Sequence, residues 1–107
     1  MKQELVLLAL SGLLLLGCSA HSCRVEGQTA VLLLRQPDAQ EVLLACSLDG
    51  YTLRPAKPVA GGWEVTLPAD SPFVYFYRVD GRPFVPDCPL KERDDFGAEN
   101  CIFDPEM

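Results

Sequence analysis

The chain has 107 residues, with 9 Lys and Arg against 15 Asp and Glu, together with 9 Pro, 8 Gly and 5 Cys. This length is typical of a single domain, so we exclude a two-domain enzyme, a TIM-type barrel and a doubly wound sheet. The formal net charge of −6 argues against nucleic-acid binding, because contact with phosphates requires a basic surface.

The N-terminus has the pattern of an export signal. A short polar start, Met1–Glu4, precedes an almost wholly apolar run, Leu5–Leu16. A helix that spans a bilayer needs about 20 apolar residues, whereas this run has the length of a signal-peptide core. We therefore predict a cleaved signal peptide over residues 1–17.

The end of this run, Leu15-Leu16-Gly17-Cys18-Ser19, resembles a lipobox. The resemblance implies that Cys18 becomes the first mature residue and carries acyl chains, which anchor the protein in a membrane. Ser19 implies sorting to the outer membrane of the cell envelope, facing the periplasm or the exterior. The alternative is an ordinary secretory signal with a chance cysteine. We expect residues 18–28 to form a tether and residues 29–107 to form the folded domain.

Beyond Cys18, four cysteines remain: Cys23, Cys46, Cys88 and Cys101. An even number in a small exported domain indicates two disulfides, which four cysteines can form in three ways. We expect Cys23 to pair with Cys46 and Cys88 with Cys101, although the sequence alone leaves the connectivity open. No Cys-x-x-Cys pair is present and His21 is the only histidine, so we expect neither a zinc site nor another cofactor.

The rest of the chain has the pattern of short β-strands. Runs of apolar and β-branched residues are separated by Pro, Gly and Asp turns at intervals of roughly 8 to 12 residues. This spacing predicts an all-β sandwich or barrel of short strands. The predicted strands include residues 29–35, 41–47, 63–67, 73–80, 82–85 and 100–104.

Successive side chains of a strand point to opposite faces, so two of these segments have a predictable core face. In the strand FVYFYRVD, the expected core residues are Phe73, Tyr75, Tyr77 and Val79. Its other face, for solvent or a ligand, carries Val74, Phe76 and Arg78. In the strand WEVTL, the expected core residues are Trp63, Val65 and Leu67.

Several motifs occur in a recognisable order along the domain: GWEVTLP at 62–68, FVYFYR at 73–78, VDGR at 79–82, PD at 86–87 and FGAEN at 96–100. In this order they resemble the early-set, immunoglobulin-like domain at the N-terminus of isoamylases and branching enzymes. They also resemble the glycogen-binding domain of the AMP-activated protein kinase β subunit. The resemblance extends over residues 29–104 and implies an all-β, immunoglobulin-like sandwich of about seven short strands that binds α-glucan and catalyses no reaction.

In the kinase-type domain, two aromatic rings, a lysine and an asparagine hold the sugar. The resemblance puts Tyr51 and Phe84 at the aromatic positions, Phe76 at the lysine position and Asn100 at the asparagine position. Arg78 lies on the same strand face as Phe76 and is placed to supply the missing donor. Aromatic rings suit sugars because a pyranose has an apolar C–H face.

The lysine and both tryptophans of that pattern are absent, which favours an alternative function. The chain would then be a protein-interaction or assembly module of the envelope that kept the fold and lost the sugar site, since an apolar face suits a protein partner. No serine has the context of a nucleophile elbow, and we expect no enzyme activity. We interpret the acidic residues from Asp87 onward as a charged surface rather than a calcium site of Asp87, Asp94 and Asp95.

Overall fold

A computed structural model describes residues 20–106, so the predicted signal peptide and Cys18 lie outside the described residues. The described part contains one 3₁₀ turn, Ser47–Asp49, and ten β-strands. The strands are β1 His21–Glu26, β2 Thr29–Leu34, β3 Val42–Cys46, β4 Arg54–Pro55, β5 Lys57–Val59, β6 Gly62–Pro68, β7 Phe73–Val79, β8 Arg82–Phe84, β9 Lys91–Arg93 and β10 Glu99–Phe103.

The strands form two antiparallel sheets. The first has the order β1-β2-β6-β5, and the second has the order β4-β3-β7-β10-β9, with β8 paired to the end of β7. The prediction of an all-β sandwich is confirmed, and the architecture is compatible with an immunoglobulin-like domain. The number of strands exceeds the predicted seven because the structure adds β1 and the short strands β4, β5 and β9, which are only two or three residues long.

The core lies between the two sheets and follows the predicted alternation. In the first sheet it is formed by Ala30, Leu32, Leu34, Val65 and Leu67. In the second it is formed by Val42, Leu44, Cys46, Phe73, Tyr75, Tyr77, Cys101 and Phe103. Trp63 packs half-buried against this cluster, and its Nε1 donates a hydrogen bond to the Gln36 carbonyl oxygen at 3.2 Å.

A row of aromatic rings runs through the core along β7. Phe103 stacks on Phe73 with ring centroids 4.9 Å apart, and Phe73 lies 5.7 Å from Tyr75. Tyr75 meets Tyr77 edge-on at 6.1 Å, and the His21 ring lies within 6 Å of both tyrosines. His21 Nε2 and the Tyr77 hydroxyl are 3.0 Å apart, so the buried hydroxyl has a hydrogen-bonding partner.

The expected tether is wrong for most of its length, because residues 21–26 form β1 at the edge of the first sheet. β1 and β2 are a hairpin in which Glu26 pairs with Thr29, so Gly27 and Gln28 form a two-residue turn. Gly27 has φ 63°, which glycine adopts without steric cost. His21, which we expected in a mobile segment, is 8% exposed.

The disulfide prediction is half right. Cys88 and Cys101 form a disulfide with a Cα–Cα distance of 6.0 Å, whereas Cys23 and Cys46 are free. Cys23 is exposed on the edge strand β1 of the first sheet, whereas Cys46 is buried on β3 of the second, and the two remain unpaired. The bond that does form closes a short loop and is expected to stabilise the fold by about 3 kcal/mol. Within residues 20–106, no helix is long and apolar enough to cross a bilayer.

Gly62 marks a close approach between β6 and β2. A Cβ atom at Gly62 would collide with the carbonyl oxygen of Leu34, whereas a Cβ at Gly61 would meet open space. Both glycines have positive φ. Gly61→Ala is therefore expected to cost only about 1 kcal/mol of backbone strain. Gly62→Ala is expected to cost at least about 2 kcal/mol more, because the strands must separate. Urea denaturation of both variants measures the difference, and equal losses would contradict the close approach.

The buried histidine makes stability depend on pH. Burial lowers the pKa of His21 from 6.5 to about 4. As the pH falls below about 6.5, the unfolded chain binds a proton while the folded chain stays neutral until about pH 4. The free energy of unfolding is therefore highest above pH 6.5 and falls by about 3 kcal/mol as the pH is lowered from 6.5 to about 4.

The matched control is His21→Gln, which keeps a hydrogen-bonding side chain and does not titrate. Urea denaturation between pH 7 and pH 4 should show a smaller loss of stability for the variant, by about the amount expected for His21. Parallel stability curves for the two proteins would refute this role of the histidine.

Candidate functional site

The outward face of the second sheet carries the residues that the motif resemblance selects. On β7, Val74, Phe76 and Arg78 alternate with the buried aromatic residues and point away from the core. The register pairs Cys101 with Tyr75, so the preceding residue of β10, Asn100, comes beside Phe76 on the outward face. Phe76 and Asn100, separated by 24 positions in the numbering, are thus neighbours.

Tyr51 reaches this face through the turn after β3. Gly50 ends the 3₁₀ turn with φ 69°, and Tyr51 itself has φ 65°. Its backbone N–H donates to the Cys46 carbonyl oxygen at 2.8 Å, which fixes the loop against the end of β3. The Tyr51 ring lies 6.2 Å from the Phe76 ring with 25° between their planes, and it is 44% exposed. Two nearly parallel aromatic rings are thus presented to solvent.

A shallow groove of about 350 Å³ begins at Phe76 and crosses the sheet toward the β9–β10 hairpin. We call it the outer groove. It is lined by Phe76, Pro83, Val85, Asp94, Ala98, Glu99 and Asn100. Most of its surface is apolar, and Asn100 adds an amide that can both donate and accept hydrogen bonds.

The two carboxylates of the outer groove already have partners. Asp94 Oδ1 accepts hydrogen bonds from the backbone N–H groups of Phe96 and Ala98, at 2.9 and 3.0 Å. Glu99 lies 3.4 Å from Arg93 and 3.9 Å from Lys91. In the part of the chain that the structure describes, no group of three His, Cys, Asp or Glu side chains could hold a metal ion. The groove is therefore suited to a ligand whose surface is largely apolar and carries hydroxyl groups, rather than to a cation.

Phe84 is not part of this face. The Asp80–Gly81 turn pairs Tyr77 with Phe84, so both rings lie on the core side of the second sheet, and Phe84 packs half-buried against the core. The motif resemblance put Phe84 at a sugar-binding position, whereas Pro83 is the residue of β8 that lines the outer groove. Arg78 does point outward and is exposed, opposite Pro83, but it is not among the residues that line the groove.

Sequence reasoning missed Phe96, whose side chain is 96% exposed. It stands at the tip of the β9–β10 hairpin, between two residues that line the outer groove, Asp94 and Ala98. The turn is well ordered by hydrogen bonds: besides those to Asp94 Oδ1, the Asp94 N–H donates to the Ala98 carbonyl at 2.9 Å. The signal in the sequence was the Asp-Asp-Phe-Gly turn, in which a large aromatic residue takes a place usually held by a polar one.

The outer face therefore combines the groove, which contains Phe76 and Asn100, with the Tyr51 ring beside Phe76 and the exposed Phe96 nearby. This arrangement is suited to holding a flat, partly apolar molecule. No protein-family model matches the chain, and no curated protein matches it. The structure itself supports the architecture, an all-β sandwich compatible with an immunoglobulin-like domain.

Proposed function

We propose that the chain is a lipid-anchored, non-catalytic protein of the cell envelope that binds carbohydrate in the outer groove. The observation that carries this proposal is the meeting of Tyr51, Phe76 and Asn100 on one exposed face. These residues come from three separate segments, and the motif resemblance had selected all three for a sugar site. The same resemblance favours an α-glucan as the ligand.

The chemistry of the face supports a sugar ligand. A pyranose presents an apolar face of C–H groups, which packs on an aromatic ring, and a rim of hydroxyls, which needs hydrogen-bonding partners. Tyr51 and Phe76 offer two rings for consecutive sugar units, and Asn100 offers an amide beside them. Phe96 stands where a longer chain would leave the groove, so it adds a third aromatic surface at the far end.

The anchor would hold the domain close to the membrane. The domain begins at His21, so only three residue steps separate it from Cys18, at most about 11 Å of extended chain. This is much shorter than the tether expected from the sequence. The domain would therefore lie near the membrane, where an envelope protein meets imported or surface glycans.

A protein-interaction role is the second candidate, and Phe96 is the observation that favours it. A phenylalanine held in solvent by an ordered turn resembles the aromatic anchors that fill pockets on protein partners. The lysine of the sugar-binding pattern is replaced by Phe76, which also makes the face more apolar. The two candidates differ in whether soluble glucans bind.

Affinity electrophoresis through gels containing glycogen, amylopectin or maltodextrin tests the sugar proposal. The wild-type chain should be retarded, and Tyr51→Ala and Phe76→Ala should each weaken binding at least about tenfold, because each removes a stacking ring. Leu53→Ala is the matched control, since Leu53 is 41% exposed, close to the 44% of Tyr51, but has no aromatic ring and does not line the groove. Absence of retardation would refute glucan binding and leave the protein-interaction role. Retarded variants that bind like the wild type would instead refute the outer face as the sugar site.

Lipidation is tested separately. Cys18→Ser removes the acceptor thiol, so labelling with a radioactive fatty acid should disappear and the precursor should remain uncleaved. Cys23→Ser is the control because it removes a cysteine from the folded domain and leaves the lipobox intact. Equal labelling of the wild type and the Cys18→Ser variant would contradict the proposed anchor.

A further inference from the structure

The core face of β1 is left uncovered at one edge of the sandwich. His21, Cys23 and Val25 pair with Leu34, Leu32 and Ala30 of β2 and so point to the same side of the sheet. Their β2 partners are completely buried, yet Cys23 is exposed and Val25 is 52% exposed. The second sheet therefore does not close over the outer half of β1.

This opening forms a cleft of about 270 Å³, which we call the edge cleft. One wall is β1, and the other comes from β7, β10 and the segments beside them. The apolar lining residues are Val25, Tyr75, Pro89, Ile102, Phe103 and Pro105. Ser22, Cys23 and Asp104 add polar atoms. A cleft of this size holds roughly nine methylene groups, if each takes about the 30 Å³ of a liquid water molecule.

The N-terminal chain enters the domain at this cleft. The Ala20 carbonyl oxygen accepts a hydrogen bond from the Arg35 N–H at 2.8 Å, which extends the β1–β2 ladder by one step. The next residue, His21, lines the cleft. Cys18 is two residues before Ala20, so whatever is attached to its sulfur is held within about 11 Å of the cleft by covalent linkage. Such linkage gives an attached group a far higher local concentration than a free lipid.

We propose that the edge cleft holds one acyl chain of the lipid anchor on Cys18 while the protein is away from a bilayer. This inference rests on the proposed lipidation. The occupant is the protein's own acyl chain because Ala20, two residues after Cys18, enters the sheet at the cleft and the cleft lining is mainly apolar. A bilayer can bury the whole chain, whereas the cleft covers only part of it, so the chain leaves the cleft when the anchor inserts.

Cys23 provides a reporter for this occupancy, because its thiol lines the cleft and is accessible when the cleft is empty. The experiment compares the acylated protein with a non-acylated chain of residues 18–107 that carries Cys18→Ser. Both are treated with iodoacetamide at nanomolar concentration in detergent-free buffer at one pH, and alkylation is assigned to Cys23 by peptide mass spectrometry. The acylated protein should react at least tenfold more slowly. Phosphatidylcholine vesicles should restore its rate and leave the Cys18→Ser chain unchanged.

Two variants of the acylated protein separate the cleft from simple clustering of lipidated chains. Val25→Asp puts a charge into the apolar lining, so Cys23 should react as fast as in the non-acylated chain. Arg24→Ala changes the net charge by the same amount on the opposite side of β1, where Arg24 contacts Glu26 and Glu64, and should stay protected. Equal rates for acylated and non-acylated protein would overturn the proposal. Protection that survives Val25→Asp, or that vesicles do not relieve, would overturn it as well.

Other occupants give different results. If decanoate protects Cys23 in the Cys18→Ser chain while the attached acyl chain does not, the cleft takes a free lipid and the proposal is wrong. An added peptide strand along β1 would protect Cys23 whether or not Cys18 is acylated, which also contradicts the proposal. Intact mass shows at the outset whether acyl groups are present. Their absence would refute the anchor and this occupant together, and it would leave the sugar proposal standing.

Discussion

The alternation of side chains along β7 is the constraint on which the rest of the structure depends. This strand pairs with β3, β10 and β8, so its two faces set the two faces of the second sheet. Phe73, Tyr75 and Tyr77 form the inner row that packs against Phe103 and the first sheet. A shift of one residue in its pairing would bury Phe76 and Arg78 and expose three large rings, so the register is strongly specified. The candidate site and the core are therefore opposite sides of one strand.

Much of this arrangement could be predicted from the sequence, because it follows from local periodicity. The faces of β6 and β7 are as predicted, and so is the disulfide between Cys88 and Cys101. The core-side position of Phe84 could also have been predicted. A two-residue turn at Asp80–Gly81 pairs Val79 with Arg82, and two residues further along each strand it pairs Tyr77 with Phe84 on the core side. The motif resemblance had assigned Phe84 to the ligand against this simple count.

Other features could not be predicted, because they depend on how distant segments pack. In β1, Val25 is the only strongly apolar residue; the others are His21, Ser22, Cys23, Arg24 and Glu26. This pattern is too weak to distinguish a strand from a tether. Its place in the sheet comes from the hairpin with β2 and from the contact of His21 with two buried tyrosines. The separation of Cys23 from Cys46 and the meeting of Tyr51 with Phe76 likewise require knowledge of the sheet order.

At Tyr51, the side chain that suits ligand binding is not the one that suits the backbone conformation. A tyrosine in the left-handed region costs on the order of 1 kcal/mol relative to glycine, and Gly50 immediately before it adopts the same conformation. Glycine or asparagine at position 51 would relax the loop and remove the exposed ring. Repeated selection of this domain for heat resistance alone should therefore replace the tyrosine early, whereas selection that also demands ligand binding should retain it. Whether tyrosine is retained at position 51 under each kind of selection would show whether the residue is kept for folding or for ligand recognition.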